Sequence, residues 1–191
     1  MRLGVFGGSF DPPHVGHLLA ASDAVEALAL DRLLFVPAAV SPFKHGMTAT
    51  PAADRLAMVR LLAGEDPRFE VDPIEIDRAG LSYTVDTLAT LAVRHPDATL
   101  YLLVGEDVLP TFAQWREHAR ILSLARLAVV RRGEGEVTEA GDGVPPHVPL
   151  PPRRVDVSST EVRQRARAGR PLRGFVPDAV AAYIERARLY R

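Results

Sequence analysis

RLGVFGGSFDPPHVGHL, residues 2–18, is the stretch of sequence that decides the fold. The apolar run from Leu3 to Phe6 predicts a buried strand, and the segment 7–9, Gly-Gly-Ser, predicts a turn with unusual backbone angles. From Val15 onward, apolar residues recur with the period of a helix. The stretch therefore predicts a strand that leads through a glycine turn into a helix.

A helix that begins directly after such a turn is suited to binding an anion. Free backbone N–H groups and the positive end of the helix dipole point to one place, which favours a phosphate. His14 and His17 are three residues apart on one helical face, so both rings can reach that place. Either histidine alone would more often be an ordinary surface or core residue. The pair together with Gly16 favours function, because glycine weakens a helix start. A metal site built from the histidines and Asp11 is the weaker alternative, because no further ligand is evident.

Composition limits the class of protein and of partner. A chain of 191 residues suits one α/β domain with a sizeable core. The net charge of −1 provides no overall basic field for nucleic acid or an anionic membrane. The absence of cysteine excludes disulfides and thiolate metal sites. With no secretion signal pattern and no long apolar run, we expect a cytoplasmic protein without nucleic-acid or membrane partners.

Strands and helices alternate along the chain. The predicted strands are 3–6, 32–37, 69–76 with an interruption at Pro73, 100–104, 127–130 and 154–157. The predicted helices are 15–28, 51–62, 82–93 with Ser82 as its cap, 107–112, 115–124, 158–169 and a last one that opens at 176–178. The glycine- and proline-rich segment 133–152 is predicted to be an exposed loop of poor order. This alternation predicts an α/β fold: a single Rossmann-like, doubly wound domain with a mainly parallel sheet and helices on both faces. Its ligand crevice should lie at the carboxyl ends of the strands.

A second candidate anion site lies near the carboxyl end of the chain. Ser158 and Glu161 have the spacing of a capping box, which predicts a helix start just after a strand. Three adjacent hydroxyls, from Ser158 to Thr160, together with Arg163 one turn into the helix, could hold a phosphate. By itself, a capping box is more often architecture than a binding site.

Both segments resemble motifs of one known family. GGSFDPPHVGH, residues 7–17, resembles the signature of the HxGH nucleotidyltransferases, and its long form is most similar to bacterial nicotinate-nucleotide adenylyltransferase. SSTEVR, residues 158–163, is similar to the family motif that binds the ATP phosphates. The resemblance implies one nucleotidyltransferase domain, 1–191, in which the helical portion 158–191 completes the ATP site.

The resemblance also implies a reaction and a set of residues. The adenylyl group of ATP would pass to nicotinate mononucleotide, with Mg²⁺ held through the ATP phosphates and water and no protein metal ligands. The implied catalytic residues are His14, His17, Lys44 and Arg163. The implied ATP-binding residues are Gly7, Gly8, Ser9, Phe10, His14, His17, Gly105, Asp107, Ser158, Ser159, Thr160 and Arg163.

A third set of residues is implied for nicotinate mononucleotide. These are Lys44, His45, Thr84, Trp115 and Arg132. Trp115 would stack on the pyridine ring and Arg132 would hold the mononucleotide phosphate, while Arg131 beside it would be a solvated charge at a strand end. The family loop usually reads Pro-Pro-His-Lys, whereas residues 41–45 here read SPFKH. Which of Lys44 and His45 faces the phosphate therefore stays open. Without the resemblance, Thr84 would be a first-turn helix residue and Trp115 a core residue.

Two other functions are compatible with these motifs. An enzyme like pantetheine-phosphate adenylyltransferase shares both phosphate motifs, and a nucleotide-binding module without turnover needs only the two anion sites. A fragment of an aminoacyl-tRNA synthetase is disfavoured because no KMSKS-like segment follows. The GxGxxG fingerprint and the Walker A loop are both absent, which weighs against a dehydrogenase or a P-loop enzyme. The sequence leaves open whether the protein forms a homo-oligomer.

Overall fold

The strands of the protein form one parallel sheet, as predicted. The computed structural model describes residues 1–42, 50–64, 66–131 and 143–191. The strands in these ranges are β1 (Arg2–Gly8), β2 (Arg32–Pro37), β3 (Phe69–Val71), β4 (Thr99–Gly105), β5 (Ala125–Val130) and β6 (His147–Pro149). Their order is β3-β2-β1-β4-β5-β6, and every neighbouring pair is parallel. This is the order of a doubly wound fold, in which the winding reverses between β1 and β4.

Helices connect the strands across both faces of the sheet. They are α1 (Val15–Ala27), α2 (Ala52–Ala63), α3 (Ile74–Arg78), α4 (Thr84–Arg94), a 3₁₀ helix (Glu106–Gln114), α5 (His118–Leu124), α6 (Ser159–Arg167) and α7 (Asp178–Arg186). Within the described ranges, none of these helices combines the length and the apolar character needed to cross a bilayer.

Alternate residues of each strand face two separate cores. In β2, Leu33 and Phe35 pack into the core that also contains buried residues of α1, α2, α6 and α7. Leu34 and Val36 pack into the other core, with residues of α3, α4 and α5. Because both sheet faces are covered, the central strands have continuous apolar sequences.

The third strand is shorter than predicted. It ends at Val71, and α3 follows where the sequence predicts a strand to residue 76. Pro73 occupies the N-cap position of this helix, and the Asp72 carboxylate accepts a hydrogen bond from the Ile74 backbone N–H at 3.0 Å. This local turn chemistry favours a helix start, which the apolar spacing across the segment conceals.

Two helix starts also differ from the prediction. The helix predicted from Ser82 begins at Thr84, because the Ser82 hydroxyl accepts a hydrogen bond from the Ala39 backbone N–H at 2.9 Å instead of capping the helix. The helix predicted from residue 115 begins at His118, directly after Glu117, whose φ of 50° lies in the left-handed region. A hydrogen bond to a distant residue therefore determines where α4 begins, and an unusual backbone conformation determines where α5 begins.

The last strand of the sheet lies in an unexpected segment. β6 falls inside the predicted loop 133–152, whereas the predicted strand 154–157 has no strand structure. Among the residues that the structure describes, β6 pairs with β5 alone and is therefore an edge strand. An edge position tolerates Pro149 because its unpaired side needs no N–H donor. The predicted helix 158–169 corresponds to α6, and the helix predicted to open at 176–178 corresponds to α7.

Candidate active site

A cleft opens where the winding of the sheet reverses, at the carboxyl ends of β1 and β4. Its volume is about 770 Å³, within the usual range for ligand sites. The cleft is lined by residues from both predicted sets, those for ATP and those for nicotinate mononucleotide. They are Gly7, Gly8, Ser9, Thr84, Gly105, Asp107 and Trp115. The fold therefore brings the glycine turn together with residues that follow it by about a hundred positions.

The turn after β1 is anchored by Phe10. This side chain is 2% exposed and packs edge-on against Phe35, with ring centroids 5.9 Å apart, and against His17 at 5.0 Å. Its φ of 47° lies in the left-handed region, a conformation that persists when surrounding contacts enforce it. Because the ring is a core residue, only its backbone is left for the predicted role of Phe10 in ATP binding.

His14 and His17 form a stacked pair at the start of α1. Their ring centroids are 3.8 Å apart and the ring planes are inclined by 35°. The His14 backbone N–H donates to His17 Nδ1 at 3.1 Å, so the neutral His17 ring carries its proton on Nε2. Glycine is favoured at position 16, because a Cβ there would lie 3.0 Å from the His14 ring, which is closer than ordinary van der Waals contact. Close packing thus explains the glycine that weakens the helix start.

The second motif is docked directly onto the first. The Ser159 hydroxyl donates to the Pro12 carbonyl at 2.9 Å, and Arg163 Nη1 donates to the Asp11 carbonyl at 2.7 Å. Ser158 caps α6 as predicted, because its hydroxyl accepts the Glu161 backbone N–H at 3.1 Å. The entrances of α1 and α6 therefore lie side by side, although the bonded residues are 147 and 152 positions apart.

Some donors that we expected to be open are already used within the protein. The Val15 backbone N–H, in the first turn of α1, donates to the Phe175 carbonyl at 3.0 Å. Arg163 Nη2 donates to the Thr160 hydroxyl at 3.2 Å while Nη1 contacts Asp11. The expectation of freely available N–H groups at this helix entrance is therefore wrong for Val15. Arg163 therefore links the two turns, because its guanidinium bonds Asp11 in the first turn and Thr160 at the start of α6.

The end of β4 carries the next pair of predicted residues. A Cβ at Gly105 would overlap Oδ1 of Asp107. Glycine therefore allows the exposed Asp107 carboxylate to lie against the end of β4, where both residues line the cleft. Trp115 packs on Phe112 at a ring distance of 5.4 Å and also lines the cleft, to which Thr84 contributes the first turn of α4. The structure thus places Asp107, Trp115 and Thr84 around one space.

The remaining predicted residues divide into two groups. Lys44, His45 and Arg132 lie outside the described residues, so their roles stay predictions. Arg131 is only 7% exposed, and its Nε lies 4.0 Å from the Glu106 carboxylate. The interpretation of Arg131 as a solvated charge at the strand end is therefore wrong, because its side chain is buried and lies near an acidic group.

Glu75 is a cleft residue without a role predicted from the sequence. It is buried, and its carboxylate accepts a hydrogen bond from the Thr87 hydroxyl at 2.6 Å and another from Ser82. Burial is the main cause that raises the pKa of Glu75. The only sequence signal was an acid between Ile74 and Ile76, within a segment predicted to be a strand.

Arg55 is a second residue without a predicted role. Its side chain is 2% exposed, and burial lowers its pKa. The guanidinium donates to the carbonyl oxygens of Ser9 at 2.8 Å, Ala38 at 2.6 Å, Ala39 at 2.9 Å and Thr50 at 3.2 Å. Arg55 therefore fastens the turn after β1 to the segment after β2. Carbonyl acceptors carry no side-chain signature, so the sequence could not reveal this contact.

Comparisons with known proteins identify the family of the chain. Residues 5–165 match the family model described as cytidylyltransferase-like. A curated protein of Gemmatimonas aurantiaca, named "Probable nicotinate-nucleotide adenylyltransferase", is 55% identical over 198 aligned residues, covering 100% of this chain and 93% of the relative. A protein of the same name from Thermus thermophilus is 47% identical over 191 residues, covering 100% of both chains.

A solved structure has the same fold. It is the Plasmodium falciparum nicotinic acid mononucleotide adenylyltransferase complexed with NaAD, which matches with a TM-score of 0.80 over 99% of this chain and 97% of that chain. At 18% identity, this likeness concerns the fold alone. The family model and the full-length relatives show that the chain belongs to the cytidylyltransferase-like family, among the nicotinate-nucleotide adenylyltransferases.

Proposed function

We propose that this protein transfers the adenylyl group of ATP to nicotinate mononucleotide, which yields nicotinate adenine dinucleotide and pyrophosphate. The observation that carries the proposal is the docking of the two phosphate motifs, by Ser159 on Pro12 and by Arg163 on Asp11. The same turn contributes Gly7, Gly8 and Ser9 to the lining of the cleft. Two helix entrances at one place favour a ligand with several phosphates. The names of the full-length relatives describe the same activity.

The ATP phosphates would lie between the entrances of α1 and α6. His17, with its proton on Nε2, would donate to a phosphate oxygen, and His14 and Arg163 would add positive charge or further donors. The described residues hold no group of three or more metal-ligating side chains. We propose that Mg²⁺ arrives on the ATP phosphates, and that Asp107 at the cleft would contact a ribose hydroxyl or a metal-bound water.

The acceptor would occupy the part of the cleft between β4 and α4. Trp115 offers a flat indole face for a pyridine ring, and Thr84 lies at the N-terminus of α4, where the helix dipole favours an anionic group such as a carboxylate. Lys44, His45 and Arg132 are proposed to hold the phosphate of the mononucleotide. Their positions in the sequence follow β2 and β5, whose carboxyl ends lie at this edge of the sheet.

The chemistry requires positioning rather than a strong base. The acceptor phosphate is already an anion near neutral pH, so it can attack the α-phosphorus of ATP directly. One P–O bond forms as the bond to the β-phosphate breaks, and pyrophosphate leaves with the electron pair. His14, His17, Lys44 and Arg163 would offset the charge that grows on the bridging and leaving oxygens.

Pyrophosphate release with different acceptors tests the proposal. Purified protein is given ATP and Mg²⁺ with nicotinate mononucleotide, nicotinamide mononucleotide or 4′-phosphopantetheine, and kcat/KM is measured for each. We expect the highest value with nicotinate mononucleotide. Preference for 4′-phosphopantetheine would support the pantetheine-phosphate alternative. ATP binding without turnover of any acceptor would support a nucleotide-binding module.

A further inference from the structure

The end of the chain returns to the turn that carries the histidines. The hydroxyl of Tyr190, the next-to-last residue, donates to Asp11 Oδ1 at 2.7 Å, across 179 positions of sequence. Asp11 is 6% exposed and lies three residues before His14. The proposed chemistry assigns a role to neither member of this pair.

The final residues adopt a costly backbone conformation to make this contact. Arg188 and Tyr190 have φ values of 52° and 63°, in the left-handed region that non-glycine residues disfavour. Leu189 and Tyr190 pack against the core shared with α1, α2, α6 and α7. Such strain persists only when surrounding contacts enforce it, so the tail is held in a defined position.

The contact also solves an electrostatic problem at the proposed ATP site. Asp11 places a buried carboxylate in a turn that should receive a triphosphate, and a buried carboxylate requires donors or nearby positive charge. Arg55 interacts favourably with the Asp11 charge, and Tyr190 supplies a hydrogen bond. Burial, more than any other cause, raises the pKa of Tyr190, so the phenol remains a donor at physiological pH. The Thr50 hydroxyl also contacts this phenol oxygen.

We infer that Tyr190 is a positioning residue that acts through Asp11. Its hydrogen bond fixes the Asp11 side chain, while Arg163 holds the Asp11 carbonyl, so that the turn presents His14 and His17 to the ATP phosphates in one alignment. The inference rests on the proposed function of that turn. Phosphoryl-group transfer by positioning is sensitive to small displacements, so loss of the bond should lower kcat more than it changes KM.

Tyr183 provides a matched control. Its hydroxyl donates to Asp54 Oδ1, also at 2.7 Å, and so joins α7 to α2 rather than to Asp11. Tyr190→Phe and Tyr183→Phe therefore each remove one hydroxyl and one tyrosine–aspartate bond. We expect Tyr190→Phe to lower kcat about tenfold with KM for ATP nearly unchanged. Tyr183→Phe should keep kcat within about twofold. Tyr190→Phe should lower the melting temperature more than Tyr183→Phe, because it also removes the Thr50 contact and takes a donor from the buried Asp11.

A measurement without substrates separates this inference from the proposed function. Hydrogen–deuterium exchange is followed in peptides covering residues 8–18 of the full-length protein. Tyr190→Phe should accelerate exchange there, whereas Tyr183→Phe should not. If the unaltered protein shows no adenylyl transfer, the proposed function fails and the exchange result still decides the role of Tyr190. Unchanged exchange and kcat in Tyr190→Phe, or equal losses in both variants, would overturn the inference.

Discussion

The two phosphate-binding turns differ in how they are held. The turn between β1 and α1 is buried, with Phe10, Asp11 and His14 each no more than 6% exposed, and it is fastened by Arg55. The turn before α6 is largely exposed and depends on its own cap and on two bonds to the first turn. This contrast indicates that the first turn is part of the core and the second is docked on it. Substitutions in the first turn should therefore lower both the stability and the activity of the protein. Substitutions in the second turn should lower mainly its activity.

The largest effect is expected from the support of the first turn. Arg55→Met leaves buried carbonyl oxygens without their donor, which should lower the free energy of unfolding by about 3–5 kcal/mol. For a domain of this size that corresponds to a fall in melting temperature of roughly 10 °C. Thermal unfolding measures the change, with Arg60→Met as control, because Arg60 lies on the exposed side of the same helix. Similar melting temperatures in the two variants would show that Arg55 does not stabilise the first turn.

Within the first turn, His17 should affect catalysis most. By analogy with the loss of one preorganised donor, His17→Ala should lower kcat by about 10²–10³. The fold should persist, because the core residues around the ring remain. Steady-state pyrophosphate release gives kcat, and His95→Ala, at the end of α4, serves as the control. Near-normal turnover in His17→Ala would exclude this residue from the mechanism.

Ser159→Ala tests the docked turn. The substitution removes the bond to the Pro12 carbonyl but not the Ser158 cap, so α6 should still form. We expect kcat to fall about tenfold, while the free energy of unfolding decreases by only about 1 kcal/mol. Urea unfolding and turnover are measured on the same preparation. A loss of stability as large as that of Arg55→Met would show that both turns belong to one buried unit.

The smallest expected effect concerns Glu75 in the acceptor half of the cleft. Burial raises its pKa above the ordinary value of 4.5, so the folded protein retains a proton that the unfolded chain has released. The contribution of Glu75 to the free energy of unfolding must therefore fall as pH rises from about 4.5 through the pKa of the folded state. Glu75→Gln should remove this decline in urea unfolding measured at a series of pH values. Glu70→Gln, at an exposed position, is the control, and a Glu75→Gln profile parallel to that of the unaltered protein would contradict the prediction.

The differences between sequence and structure share a physical cause. Ser82 has the side chain of a helix cap, but a distant backbone N–H at Ala39 uses its hydroxyl. The apolar pattern through residues 69–76 fits a strand, yet Asp72 and Pro73 begin a helix in its middle. Residues 154–157 have the composition of a strand, but β6 takes the available edge of β5. In each case a local preference was overridden by a partner or a competing turn that apolar periodicity does not record.

The sequence by itself determined the strand, turn and helix at the N-terminus, the Ser158 cap and the parallel α/β fold. These depend on spacings within a few residues, where periodicity and capping chemistry act. Only the tertiary structure decided that α6 docks on the first turn, that Arg55 and Tyr190 hold that turn, and that Glu75 lines the cleft. Many of these contacts join a side chain to a carbonyl oxygen or to a residue far along the chain. Every residue offers the same carbonyl, so folding alone selects which one is used.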